Sequence, residues 1–264
     1  MNSKSFSKYE LNCNKDILPG NKSINGKNIF EKYNEQIFFV DYELNSFSYN
    51  YAIKYDKRAF FSYYFSLIKT KQLLIFSFCP MKDYNSRIIK IDLFFLSFAI
   101  YCFINCIFFD EPTIHRIYKD EGIYNFNFLI PHILYSFIVS QTIFTIIKYF
   151  SLSEKNICEI KKEKSVELAN DKVSDVKKCL VIKYICFFGI SLLFLFFFWY
   201  YLSSFGAVYQ NTQIFLSKNI LISFAFSLFY PFIINILPGV LRIYSLNNPN
   251  RICLFKLSKI IQYI

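Results

Sequence analysis

The sequence predicts an all-α, polytopic membrane protein: four transmembrane helices with one amphipathic helix lying at the interface. Three observations carry this expectation. Of the 264 residues, 54% are hydrophobic and 21% aromatic, with only 6 glycines, which is not the balance of an ordinary soluble domain. The apolar residues gather into four runs near 20 residues long, the length a helix needs to cross a hydrocarbon layer of roughly 30 Å. Lysine and arginine rise and fall across the intervening segments in step with those runs.

Taken in chain order, residues 1–56 are rich in Asn, Lys, Ser and Tyr and lack sustained periodicity, and "PGNKSINGKN" carries loop-forming residues. They predict a flexible N-terminal cytosolic tail ahead of a membrane domain over 57–264. No apolar core of a secretory signal precedes the first span, so insertion is expected to rely on an internal one. Residues 60–78, "FFSYYFSLIKTKQLLIFSF", are long enough to span but hold Lys69, Lys71 and Gln72 in the middle. A lysine at mid-bilayer costs about 2.5 to 3.5 kcal/mol on insertion scales. The stripe Phe61, Tyr64, Phe65, Ile68 and Ile75, interrupted by Gln72, predicts an interfacial helix instead.

The four spans are placed at 91–109, 128–147, 179–202 and 219–243. The second carries Pro131 near its start, where a helix tolerates proline. The third ends in Trp199, Tyr200 and Tyr201, as an interfacial aromatic belt would. Pro231 and Pro238-Gly239 predict a kink or stop in the latter half of the fourth. The connection 148–178 is densely charged. Its "SLSE" reads as a capping box with Ser151 as cap and Glu154 three residues on, and a break is expected near Ala169 to Asp171 between two helices.

Charge placement is an independent measure. Met1 to Asp92 holds 14 Lys and Arg against 9 Asp and Glu, whereas Asp110 to Asn127 holds only Arg116 and Lys119 against four acidic residues. Eight lysines then fall in 148–178, only Lys218 lies in the third connection, and Arg251, Lys256 and Lys259 follow the last span. This alternation predicts both termini in the cytosol. The formal charge of +11 is spread along the chain and not gathered in one patch, so nucleic acid is not an expected partner. The expected partners are the lipid bilayer and a second copy or another membrane protein. The eight cysteines show no C-x-x-C pair or zinc-like spacing and read as reduced thiols, with Cys102 and Cys106 as soft apolar filling.

Four blocks, "SYYFSLIKTKQLLIFSF", "DYNSRIIKIDLFFLSF", "SLSEKNI" and "AVYQNTQIFLSKNILISFAFSLFYPFIINILPGVLRI", together resemble a multi-span region of large, uncharacterised membrane proteins of protists with AT-rich genomes. The abundance of Phe (34) and Tyr (21) fits that codon bias. The resemblance implies membrane architecture and supplies no catalytic residue. Relatives of this type carry a longer N-terminal portion, so a truncated copy is implied.

Polar groups inside spans are the default functional suspects. Asn105, His132, Gln141 and Asn235, with Gln210, Asn211 and Gln213 in the turn before the fourth span, are candidates for interhelical bonding or for lining a neutral path. Lys183 is expected to snorkel toward headgroups. Asp110, Glu111, His115, Asp120 and Glu121 lie close in sequence but read as a solvated loop. No catalytic, cofactor or metal constellation is predicted, and with two histidines a His-rich metal site is not available. The expectation is a non-enzymatic anchoring or assembly module, with a channel or transporter subunit as the alternative.

Overall fold

The computed structural model of the chain describes residues 39–120, 123, 125–161, 166–248 and 251–263. Every regular element among them is helical. The chain divides into Met1–Phe39 and Val40–Ile264, and the architecture below is that of the second unit. In order it comprises α1 (Asp41–Ser46), α2 (Tyr49–Tyr55), α3 (Phe60–Lys71), α4 (Leu73–Phe78), α5 (Arg87–Phe108), α6 (Glu111–Lys119), α7 (Phe126–Ser151), α8 (Glu154–Lys161), α9 (Val166–Val208), α10 (Gln213–Ile234), α11 (Ile236–Asn247) and α12 (Ile252–Tyr263). A 3-10 turn, Gln210–Thr212, joins α9 to α10.

Four stretches are long and apolar enough to cross a membrane: α5, α7 with its continuation, α9, and α10 with α11. The four are compatible with a multi-pass membrane protein. In α5, buried Leu93, Leu96, Ile100, Tyr101 and Ile104 form the middle of the core, packed against α7, α9 and α10 with α4 across its start. In α9 the balance is reversed: 11% of its most apolar window is buried, against 56% in α5. Ile182, Ile185, Leu192, Phe196 and Trp199 are each more than half exposed. An apolar face of that length is rare on a soluble monomer and ordinary against lipid.

The remaining helices sort to the two ends. α1 to α4, α8, α12 and the latter half of α11 gather where α5 begins and α7 ends, here termed the platform end. Tyr49 there donates to Ser245 O, Tyr64 to Phe232 O, and Ser153 Oγ to Tyr84 O. At the opposite end, α6 buries Ile114 and Ile117 against Phe109, Phe205 and Phe215.

Several boundaries differ from the sequence reading. Of the segment expected to be a tail, residues 1–38 lie outside those described, while α1 and α2 begin at Asp41 and dock on the platform. The interfacial helix is two helices broken at Gln72, whose buried side chain accepts from Ile75 N at 2.6 Å and donates to Leu228 O at 3.4 Å. The apolar stripe read from the sequence divides, with Phe61 and Phe65 left open as a lipid-facing stripe would be and Ile68 packed inward. Phe61 and Phe65 are 71% and 57% exposed, while Tyr63 and Leu67 are fully buried. Where the solvent is oil, the greasiest stripe need not be the packed one. The expected break at 169–171 is absent, because α9 runs through those residues. The chain turns instead at Leu152–Ser153, and Ser151 donates back to Lys148 O at 2.8 Å inside its own helix, so it does not cap α8. The fourth span does break, at Asn235 between Pro231 and Pro238. Beyond the break, Gly239 lets α11 approach α3: a Cβ there would stand 2.9 Å from Phe60 Cε2.

Candidate functional site

The densest polar structure lies at the platform end and is built from residues far apart in sequence. Arg242 on α11 is fully buried. Its Nη2 donates to Asp56 Oδ2 at 2.9 Å and to Leu44 O at 2.8 Å, and its Nη1 to Asn45 O at 3.3 Å, while its Nε has no partner. Arg58 grips the same carboxylate in two places, Nε to Oδ1 at 2.7 Å and Nη2 to Oδ2 at 2.9 Å, and reaches Ser66 Oγ and Asn45 Oδ1 at 3.0 Å each. The Tyr63 ring is shared by both guanidinium groups, at 5.1 Å from Arg58 and 4.9 Å from Arg242. Burial works to raise the pKa of Asp56, but the hydrogen bonds and charges of the two arginines outweigh it and hold the carboxyl below its ordinary range. Burial pushes the Tyr63 phenol up. This cluster ties α1, the turn after α2, α3 and α11 together.

Beside it opens a cavity of about 230 Å³, bounded by the ends of α1, α3 and α7, the start of α8, the break between α10 and α11, and α12. Lys71, Lys148 and Glu154 face it, as do the amides of Gln141, Asn235 and Gln262. Lys71 Nζ donates to Gln262 O at 2.6 Å, and burial holds its ammonium below the usual value. Lys148 Nζ donates to Thr70 O at 3.4 Å and lies 4.8 Å from the Phe76 ring centre. Glu154 is buried, and its Oε1 has no hydrogen-bond partner among the described residues. Among the described residues neither lysine is in an ion pair.

The residues singled out from the sequence are dispersed. Asn105 is buried between α5 and α10, donating to Tyr101 O at 2.8 Å and to Ser223 Oγ at 2.9 Å. Gln141 and Asn235 meet at the platform cavity, where Asn235 also donates to Pro231 O at 2.7 Å. Gln213, at the far end, donates to Gly206 O at 2.9 Å and so satisfies a carbonyl near the end of α9. Asn211 is exposed, and Gln210 belongs to the 3-10 turn. His132 Nε2 lies 3.3 Å from Thr113 Oγ1, which also meets Asp110 Oδ1. Asp110 caps α6 through Thr113 N at 3.1 Å, and the Thr113 hydroxyl does most to hold its pKa down. This chain of contacts fastens α6 to the start of α7. His115 is not part of it.

Two charges sit deeper or better anchored than an apolar window implies. Asp92 lies in the second turn of α5 and accepts from Ser191 Oγ at 3.4 Å. Lys183 donates to Leu152 O at 2.9 Å and to Asn156 Oδ1 at 3.4 Å, turning back to the corner between α7 and α8. Among the described residues, Cys79, Cys102, Cys106, Cys158, Cys179, Cys186 and Cys253 form no disulfide. Among the described residues no three His, Cys, Asp or Glu side chains are placed to hold a metal.

Sequence reading missed Arg242, Asp56, Lys71 and Lys148 as members of sites. The first two lie 186 residues apart; Lys71 registered only as a charge opposing a span over 60–78, and Lys148 only as positive charge beside a span end. Their one signal was position: Arg242, Asp56 and Lys148 stand at the edges of apolar runs and Lys71 interrupts one, and in each place a counter-charge or headgroup must be found. Compared with protein-family models, curated proteins and solved structures, the chain matches none.

Proposed function

We propose that this chain is a non-enzymatic anchoring or assembly module of a membrane, with both termini and the platform facing the cytosol. One observation carries it. α9 leaves most of its apolar surface uncovered while the platform is tied down by buried Asp56 and Arg242 together with the partly buried Arg58. A firm polar platform joined to an open apolar rail suits a protein that holds other parts in place, against lipid and against a second copy or another membrane protein. The basic segments at the platform end support the orientation.

The test is cysteine crosslinking in native membranes, using chains that keep one cysteine each. Phe196→Cys and Trp199→Cys, on the open face, are expected to crosslink to a second copy or another membrane protein, and Phe187→Cys, fully buried, is not. Absence of any adduct from the open face overturns the assembly reading. Cys253 should react with an impermeant maleimide only after permeabilisation, and labelling in intact cells overturns the orientation.

A channel or transporter subunit is the second reading, favoured by Gln141 and Asn235 sharing one cavity. Against it, Asn105 is spent on Ser223 and Gln213 on Gly206, far from that cavity. Flux through liposomes holding the purified chain, abolished by Gln141→Leu, would replace the first reading with this one.

A further inference from the structure

We propose that the platform cavity is a binding site for the phosphate headgroup of an acidic membrane lipid, with Lys71 and Lys148 as the residues that hold it. The placement argues first. Lys148 stands in the last turn of α7 and Gln141 two turns deeper on the same helix, roughly 10 Å further in at 1.5 Å per residue. The cavity therefore runs from the level of span ends, where headgroups lie, into the depth of the glycerol and upper acyl region. Its lining follows that gradient. The lysines stand in the last turns of α3 and α7, while Phe144, Tyr230 and Ile234 provide apolar wall beside the amides of Gln141 and Asn235.

The charge balance argues second. Two ammonium groups and one carboxylate, Glu154, face the space, which leaves an excess of one positive charge. The lysines are partly buried and held by backbone carbonyls, with no carboxylate within salt-bridge distance of either among the described residues. A carbonyl neutralises no charge. Withdrawn ammonium groups need an anion that can share their desolvated space, and a phosphate supplies several acceptor oxygens at once. Basic pockets between span ends suit acidic headgroups for this reason. A free phosphate has the same recognition chemistry, but the apolar wall favours the form that carries chains.

The full chain, purified in neutral detergent, is titrated with dioleoyl phosphatidic acid, with phosphatidylcholine of the same chains, and with inorganic phosphate, while the unfolding temperature is followed. Phosphatidic acid is expected to raise it and the other two to leave it unchanged. Lys71→Gln and Lys148→Gln should each weaken phosphatidic acid roughly fivefold, and the double variant more. Lys148→Arg should keep the response, as should Lys69→Gln, an exposed neighbour. Should the double variant fail to fold, Lys71→Gln reads the same contrast. An equal response to phosphatidylcholine, or an unaltered response in Lys71→Gln and Lys148→Gln, overturns the site. A response to inorganic phosphate matching that to the lipid overturns the lipid as its occupant.

Discussion

Replacing Asp56 with Asn is the sharpest test of the platform. The side chain keeps its shape, but the one carboxylate that touches Arg242 among the described residues loses its charge. Arg242 is wholly buried and retains two backbone carbonyls, so an uncompensated guanidinium is left in place. Arg58 loses two charge-assisted bonds but keeps Ser66 and Asn45. Removing one partner of a buried ion pair costs about 3 to 5 kcal/mol. The lower end is expected here, because the carbonyls remain and Arg58 retains some access to water. The assay is helical circular dichroism during denaturation in a fixed detergent, applied to Asp56→Asn, Arg242→Met and the double variant. Both single variants should be destabilised, and the double variant should recover more than 1 kcal/mol relative to the sum, the coupling expected of side chains in one network. The pH profile gives a second reading. A carboxyl whose folded pKa is depressed contributes fully above its unfolded value, near 3.8, and loses that contribution as pH falls through the folded one. The Asp56 contribution should therefore be full from pH 7 to 5 and fall away below about pH 4, and Asp56→Asn should lack that component. Loss under 0.5 kcal/mol in Asp56→Asn, with zero coupling, would refute the cluster as the tie that holds the platform.

Other consequences are smaller. Asn105→Ala removes the α5–α10 bond to Ser223 and should cost about 0.6 kcal/mol, and at most near 2, in the same assay. Gly239→Ala drives a methyl into the Phe60 ring and should cost about 1 kcal/mol by crowding, relieved when Phe60→Leu is added. In folded micelles a maleimide should label Cys79, Cys179 and Cys253, while buried Cys102 and Cys106 react only after denaturation; prompt labelling of those two would contradict the packing of α5.

How far the molecule could be read from its residues depends on what each signal measures. Length and apolarity report solvent, so all four spans were legible, although the helices run past the chosen bounds, α9 from Val166 where 179 was expected. Periodicity reports which face differs from the rest, and in oil that is ambiguous: the Phe61–Phe65 stripe was visible, but the packed face of Tyr63 and Leu67 was not. Gln72 was seen as an interruption, although nothing local shows that its amide would bond two backbones and divide a helix. The 152–153 turn was hidden because its ties run to Tyr84 and Asn85, nearly 70 residues earlier. For the same reason Arg242 counted only as one more positive charge. Its carboxylate partner is a tertiary fact, and pairs at such separations leave no trace in spacing.

The length of α9 has a mechanical corollary. Its 43 residues extend about 64 Å at 1.5 Å each, near twice the oil it must traverse, with no proline along the way. One continuous helix therefore joins the charged residues that begin it to the Gln210–Thr212 corner that follows it. Whatever takes hold of the shaft at one surface thereby has a handle on the other.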